Sequence, residues 1–259
     1  MTKVTINKIL KKKGKSPIVC LTAYSKTLAE IADKFCDIIL VGDSLSMVLY
    51  GMKNTRGVSM STMISHAKTV KKFTKKSLVV FDMPYKTYNN KFAAHKNAKM
   101  ALKLTKCDAV KLEGGKKIVS IIKYLTSKGI PVMGHVGLLP QTSRTFKVKG
   151  KNAFEEKQII EDALSISKSG AFAIILECIV ERLAKKITKN ILIPTIGIGA
   201  SKHCDGQILV SDDMLGISGF LPKFVKQYTD LRKIIENSVK KYSLDVKKKK
   251  FPYNKNTYK

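Results

Sequence analysis

The residues that could do chemistry stand where short apolar runs end. Asp43 follows the run DIILVG, Asp82 follows SLVVF, and Glu177 follows FAIIL. Lys111 and Glu113 lie two residues apart at the end of another run, so both point to the same face if that run is a strand. If these ends meet, the four carboxylates repel one another unless a cation or shared protons offset their charge.

The types of these side chains indicate the ion. Asp43, Asp82 and Glu113 offer hard oxygen ligands, and neither paired histidines nor thiolates stand beside them, so they favour Mg²⁺ over zinc. Glu177 ends a different run and is the best candidate for a separate general base. The ammonium of Lys111 can bind an anionic substrate, or it can form an ion pair with Glu113 or Asp82.

His135 also ends an apolar run, and its role stays open between metal ligand, base, hydrogen-bond donor and structural histidine. Each acid, taken alone, could instead cap a following helix or solvate a loop. The interpretation as a site therefore depends on the elements that carry these residues, and on whether those elements bring their ends together.

Eight short apolar runs alternate with longer segments of helical period, a pattern that predicts a parallel sheet with right-handed crossovers. The predicted strands are Pro17 to Thr22, Asp37 to Asp43, Ser77 to Asp82, Asp108 to Glu113, Ile130 to His135, Ala171 to Glu177, Ile191 to Gly197 and Gln207 to Val210. The predicted helices are Lys26 to Cys36, Ser61 to Phe73, Phe92 to Thr105, Lys116 to Ser127, Glu156 to Ser169 and Val180 to Thr188.

Eight such units favour closure into a (β/α)8 TIM barrel, an α/β fold whose active sites form at the carboxyl ends of the strands. A doubly wound open sheet is the alternative, but the GxGxxG fingerprint after the first strand is missing. We expect residues 1–259 to form a single barrel domain. Leu221 to Tyr242 should add one or two helices, and the lysine-rich tail 247–259 should be mobile.

The net charge of +30 raises the question of a nucleic-acid partner. Only four of the 49 basic residues are arginine, and the lysines do not form one stripe with interleaved aromatic residues as a platform for stacking on bases. We therefore expect a lysine-rich solvated surface and no nucleic acid. No apolar run is long enough to span a membrane and no signal peptide is evident, so we expect a cytoplasmic protein.

The site residues stand in blocks that occur in order along the chain. These blocks are VGDSL (41–45), FDMPY (81–85), VKLEGG (110–115), GHVGLLPQ (134–141), LEC (176–178), IGIGA (196–200) and DGQ (205–207). Together they closely resemble the 3-methyl-2-oxobutanoate (ketopantoate) hydroxymethyltransferase family, from about Thr5 to Tyr242. The resemblance implies a (β/α)8 barrel, commonly a homodecamer, that transfers a one-carbon unit from 5,10-methylenetetrahydrofolate to 3-methyl-2-oxobutanoate in pantothenate biosynthesis.

Residue roles follow from the resemblance by motif. Asp43 and Asp82 match the magnesium-binding acids, and Glu113 completes the metal environment directly or through water. Ser44 and Lys111 match groups that hold the substrate carboxylate. Asp43 and Asp82 also face the substrate through the chelated ion. Glu177 matches the proton acceptor, and His135 matches a substrate-pocket histidine whose duty stays open.

The chain departs from the family pattern in the loop 145–151, which is shortened, so we expect altered folate affinity or loop closure there. Two other functions compete with the transferase. One is a different magnesium-dependent barrel enzyme of 2-keto acids, of the phosphoenolpyruvate mutase or lyase kind. The other is a degraded, basic, RNA-binding scaffold, which the retained acids and lysine speak against.

Overall fold

A computed structural model describes residues 2–143, 145–219 and 221–258, and the chain forms two compact units, Met1–Val210 and Ser211–Lys259. The first unit is a closed barrel of eight parallel strands in sequential order, with β8 paired to β1. The strands are β1 (Ile18–Thr22), β2 (Ile38–Val41), β3 (Leu78–Asp82), β4 (Ala109–Lys111), β5 (Val132–Gly137), β6 (Ala173–Glu177), β7 (Thr195–Ile198) and β8 (Gly206–Leu209).

Helices lie before β1 and between most of the successive strands of this first unit. They are α1 (Ile6–Lys11), α2 (Lys26–Phe35), α3 (Leu45–Val48), α4 (Met60–Lys72), α5 (Lys91–Thr105), α6 (Val119–Ser127), α7 (Ala153–Lys168) and α8 (Glu181–Asn190). Every predicted strand overlaps an observed strand, and each predicted helix is found within a few residues of its predicted bounds. The predicted (β/α)8 fold is confirmed. In the described part of the chain, no helix is both long and apolar enough to cross a bilayer.

Local sequence sets the ends of these helices. The Asn90 side chain accepts hydrogen bonds from the backbone N–H groups of Phe92 and Ala93 at the start of α5, which is the usual role of asparagine at a helix N-cap. Helix α7 begins in the same way, with the Asn152 side chain accepting from the Glu155 N–H. These caps fix where the loops beside the barrel end, and hence the lengths of the loops that follow the strands.

Two apolar layers hold the barrel together. One lies between strands and helices, and the other fills the barrel interior with side chains at every second strand position. Val4 and Ile9, at the N-terminal end of the chain, belong to the interior layer. The interior strand residues are Ile18, Cys20, Ile38, Leu40, Leu78, Val80, Ala109, Met133, Ala173, Ile175, Ile196 and Ile208. This layer fixes which later residue of each strand points inward.

The second unit contains α9 (Ser211–Met214) and α10 (Leu231–Lys247). Helix α10 starts ten residues later than the predicted segment that begins at Leu221, because Asp230 caps it by accepting a hydrogen bond from the Lys233 N–H. It also extends past the predicted end at Tyr242. A short 3-10 turn, Asn254–Asn256, lies within the predicted tail.

Candidate active site

Strand parity brings the charged residues together at the carboxyl end of the barrel. Asp82, Lys111 and Glu113 continue the inward-facing positions of Val80 and Ala109, and β3 pairs with β4 so that Asp82 is the direct neighbour of Lys111. On the next two strands His135 and Glu177 continue the inward positions of Met133 and Ile175 in the same way. The predicted convergence of strand ends is therefore present.

Asp43 and Ser44 reach this cluster from the turn after β2. The backbone N–H of Asp43 donates to Oδ2 of Asp82 over 3.2 Å, which ties the turn to β3. Ser44 stands at the start of α3, and its hydroxyl lies 2.8 Å from the hydroxyl of Tyr24. Asp43 thus joins the acid cluster directly, while Ser44 follows it in the chain and contacts Tyr24.

Lys111 occupies the centre of this group. Its Nζ lies 2.9 Å and 3.0 Å from the two carboxylate oxygens of Asp82 and 3.3 Å from Oε1 of Glu113. The side chain is buried, and burial alone would lower its pKa, but the carboxylates around it raise the pKa of Lys111 well above its ordinary value. The ammonium is therefore charged, and it forms the ion pair that the sequence left open.

The carboxylates differ in their electrostatics. Burial, and after it the charge of Asp82, raises the pKa of Asp43 well above its ordinary value. Burial also raises the pKa of Asp82, although Lys111 opposes it. For Glu113 burial acts in the same direction, but Lys111 and His135 outweigh it and lower the pKa to about 2. Lys111 and His135 together compensate the charge of Glu113, whereas Asp43 and Asp82 keep raised pKa values and so have too little positive charge around them.

Because Asp43 and Asp82 have too little positive charge around them, a cation would fit between these acids. Asp43 and Asp82 are the two acids whose ionised forms are poorly compensated, and both offer hard oxygen atoms. Within residues 2–143, 145–219 and 221–258, no three acidic, histidine or cysteine side chains already form a metal-binding cage. A cation would therefore have to share Asp82 with Lys111.

His135 lies between the acid cluster and Glu177. Its Nδ1 is 3.5 Å from Oε1 of Glu113 and its Nε2 is 3.1 Å from Oε2 of Glu177, although neither ring nitrogen has a well-aligned hydrogen-bond partner among the described residues. Burial and Lys111 lower the pKa of His135, but the two glutamates outweigh them and raise it to about 9. The Glu177 side chain remains 16% exposed, more than its neighbours in the cluster.

We expect this histidine to make the stability of the ligand-free protein depend on pH. Because its pKa rises from 6.5 to about 9 on folding, its stabilising contribution is complete below pH 6.5 and is lost as pH rises through about 9. The shift corresponds to about 3 kcal/mol. Urea unfolding of the wild type and of His135→Gln, followed across this range, measures it as the difference between the two curves. A difference that does not change with pH would contradict the assignment.

Two residues of the cluster were missed by the sequence interpretation. Gln141 is buried, and its side-chain Nε2 donates to Oδ2 of Asp43 over 2.8 Å. Tyr88 contacts both Gln141 and the backbone N–H of Glu113. Gln141 ends the block GHVGLLPQ, and its residue type and position alone predict no role for it. Tyr88 lies in the loop between β3 and α5 and carries no comparable signal.

Fold and site together define a class of protein: a (β/α)8 barrel with a buried, acid-rich site at the carboxyl ends of its strands. The family model described as ketopantoate hydroxymethyltransferase matches residues 3–254. A 3-methyl-2-oxobutanoate hydroxymethyltransferase of Pelagibacter ubique is 50% identical over all of both chains. One from Rhizobium etli is 48% identical, covering 99% of this chain and 96% of the relative. The chain belongs to the ketopantoate hydroxymethyltransferase family, and it is an enzyme.

Two solved structures of similar fold belong to other enzymes. A phosphonopyruvate hydrolase superposes with a TM-score of 0.66 at 11% identity, covering 96% of this chain and 88% of that chain. A 2,3-dimethylmalate lyase of the PEP mutase/isocitrate lyase superfamily gives 0.61 at 13% identity, covering 99% and 89%. At these identities the likeness concerns the fold, so it does not favour the mutase or lyase alternative over the family match.

Proposed function

We propose that this enzyme transfers a hydroxymethyl group from 5,10-methylenetetrahydrofolate to 3-methyl-2-oxobutanoate, giving 2-dehydropantoate and tetrahydrofolate with the uptake of one water. The observation that carries the proposal is the buried cluster of Asp43, Asp82 and Glu113 around Lys111, with Glu177 at its edge, in a chain of this family. Such a cluster suits a small anionic substrate and a proton transfer beside its ketone.

Mg²⁺ is the proposed ion. Asp43 and Asp82 would hold it, with Glu113 acting directly or through water, because these acids offer hard oxygens and an excess of negative charge. When bound, Mg²⁺ supplies Lewis-acid polarisation of the ketone. A phosphonopyruvate hydrolase of similar fold was crystallised with oxalate and Mg²⁺, which supports the proposal by analogy of fold only.

The chain's own residues position the keto acid and move its proton. Lys111 and Ser44 would hold the substrate carboxylate, Lys111 as a charged donor and Ser44 through a hydroxyl already oriented by Tyr24. Glu177 would take the proton from C3, since its side chain is the most exposed of the clustered acids. His135, adjacent to Glu177, would keep that carboxylate in place. The resulting enolate carbon would form a bond to the one-carbon unit. Water would cleave both C–N bonds of the folate methylene group, so that its oxygen becomes the hydroxyl oxygen and its two protons go to the two folate nitrogens. The proton held by Glu177 would pass to the new alkoxide.

Folate would enter through the long loops at the carboxyl ends of the strands. Arg56, in the loop after α3, donates from its guanidinium to the backbone carbonyl of Ser143, in the loop after β5, over 2.9 Å. This contact joins the two loops beside the site. The shortened segment 145–151 follows directly, and we propose that its length affects folate affinity.

The remaining expectations stand as part of the same proposal. We propose a cytoplasmic homo-oligomer, a decamer by family resemblance, that needs neither nucleic acid nor membrane for its activity. We also propose that the whole chain works as one barrel domain with a mobile lysine-rich tail at 247–259. Sedimentation velocity of the full chain, with and without RNA, measures the subunit count and any RNA binding together.

Enolisation can be tested without folate. In D₂O with Mg²⁺, the enzyme should exchange the C3 proton of 3-methyl-2-oxobutanoate for deuterium, which proton NMR records as loss of the C3 signal and collapse of the methyl doublet. Removing the ion with EDTA should stop the exchange, and adding Mg²⁺ back should restore it. The analogue 3,3-dimethyl-2-oxobutanoate, which has no C3 proton, serves as the spectral control. Absence of exchange at saturating Mg²⁺ would refute the enolate mechanism.

A further inference from the structure

Gln141 uses its backbone N–H and both polar atoms of its side-chain amide within the acid cluster. Its side-chain Nε2 donates to Oδ2 of Asp43 over 2.8 Å and to the backbone carbonyl of Met83 over 2.9 Å. Its backbone N–H donates to Oε2 of Glu113 over 3.1 Å. Its side-chain Oε1 accepts a hydrogen bond from the hydroxyl of Tyr88. One buried residue thus contacts two of the proposed metal-binding acids at once.

The orientation of the Gln141 amide is determined by its neighbours. A carboxylate and a backbone carbonyl can only accept hydrogen bonds, so the amide nitrogen must face Asp43 and Met83. The amide oxygen must then face Tyr88, whose hydroxyl donates to it. The same hydroxyl accepts from the backbone N–H of Glu113 over 3.4 Å. Tyr88 therefore fixes the glutamine, and the glutamine fixes Asp43.

These contacts come from different parts of the barrel. Tyr88 lies in the loop between β3 and α5, Gln141 lies in the loop after β5, and Asp43 follows β2. Tyr88 and Gln141 are both far in sequence from the acids that they contact. Both are at least nine-tenths buried, so water is a poor substitute for a lost contact. Asp43 and Glu113 are therefore joined by one set of hydrogen bonds that runs through Gln141 and Tyr88.

We propose that Gln141 and Tyr88 are positioning residues that hold Asp43 and Glu113 at the separation required by a divalent cation. This inference rests on the proposed function, because it takes these acids to be the cation ligands. Neither residue touches the reacting atoms; each acts through the acids. Hydrogen-bond partners behind metal ligands typically change metal affinity by 10- to 100-fold when they are removed.

The test uses Mn²⁺ as the probe and the full-length chain without substrate. Titrating protein into Mn²⁺ and recording the free-ion EPR signal gives the dissociation constant for the wild type, Tyr88→Phe and Gln141→Met. Tyr88→Phe removes only the hydroxyl, so it should fold even if Gln141→Met does not. We expect each variant to bind Mn²⁺ about 10- to 100-fold more weakly. Gln158→Met and Tyr124→Phe, which lie outside the cluster, are matched controls and should bind as the wild type does.

A double-mutant cycle separates a positioning role from a general loss of packing. If Tyr88 acts through Gln141, the double variant should lose much less affinity than the product of the two single losses. Wild-type affinity in Tyr88→Phe and Gln141→Met would overturn the inference while leaving the proposed function intact. A wild-type protein that binds no Mn²⁺ and does not exchange the C3 proton would overturn both.

Discussion

Glu177→Gln is expected to slow exchange of the C3 proton by roughly 10²- to 10⁴-fold, the range that a positioned general base usually contributes. Glutamine has the same shape as glutamate but no basic oxygen able to take the proton. Mg²⁺-dependent binding of the keto acid should persist, because Glu177 contacts His135 and none of Asp43, Asp82 and Lys111. NMR measures the exchange, and titration calorimetry with Mg²⁺ measures the binding.

Glu181→Gln provides the matched control for that experiment. Glu181 lies in the first turn of α8, four residues from Glu177 and on the exposed surface, so the same chemical change there should leave exchange and binding as in the wild type. Exchange at the wild-type rate in Glu177→Gln would remove Glu177 as the base. His135, whose Nε2 lies 3.1 Å from the Glu177 carboxylate, would then be the next candidate.

The barrel could be predicted because most strands appear in the sequence as a short apolar run that ends in a polar residue or a glycine. Parity within a run is local information: Lys111 and Glu113 must share a face, and Asp82 must share one with Val80. The closed fold then brings the inward-facing residues of all the strands together at the carboxyl end of the barrel. The positions of the strands, the alternation of side chains along each strand and the closure of the barrel are enough to predict a cluster of acids at one end of the barrel.

The contacts inside the cluster depend on register, which is not local. Asp82 neighbours Lys111 only because β3 and β4 pair at that offset. This pairing makes the lysine that we propose to bind substrate also the central ion-pair partner of the acids. The roles of Tyr88 and Gln141 are harder to predict, because loop residues carry no periodic pattern. Their burial and their contacts depend on two loops meeting in space.

The start of α10 shows another limit. Residues 221–230 carry enough apolar positions to extend a helical pattern backwards from Leu231, yet the helix begins only after Asp230. A capping aspartate stabilises a helix start wherever the chain direction allows it. Sequence periodicity alone does not say which candidate start is used.

Lys111→Met is expected to destabilise the ligand-free protein by about 3–5 kcal/mol, the usual result of removing one partner from a buried ion pair. Methionine keeps most of the volume but leaves Asp82 and Glu113 without their ammonium. Without the ammonium, the pKa values of these carboxylates in the folded state should rise. The loss of unfolding free energy should therefore be smaller at acidic pH than at alkaline pH. Urea unfolding at both pH values measures it, and Lys116→Met, which breaks only an exposed pair with Glu161, should cost less than about 1 kcal/mol.

The same variant separates the two duties proposed for Lys111. Mg²⁺ should restore part of the lost stability, because a cation that binds only the folded acids replaces the missing positive charge and shifts unfolding by mass action. Keto-acid binding should stay weak even at saturating Mg²⁺, since the ion cannot also replace the ammonium that holds the substrate carboxylate. Stability that does not respond to Mg²⁺ would mean that these acids are not the cation site. Full keto-acid affinity would mean that Lys111 serves the acids alone.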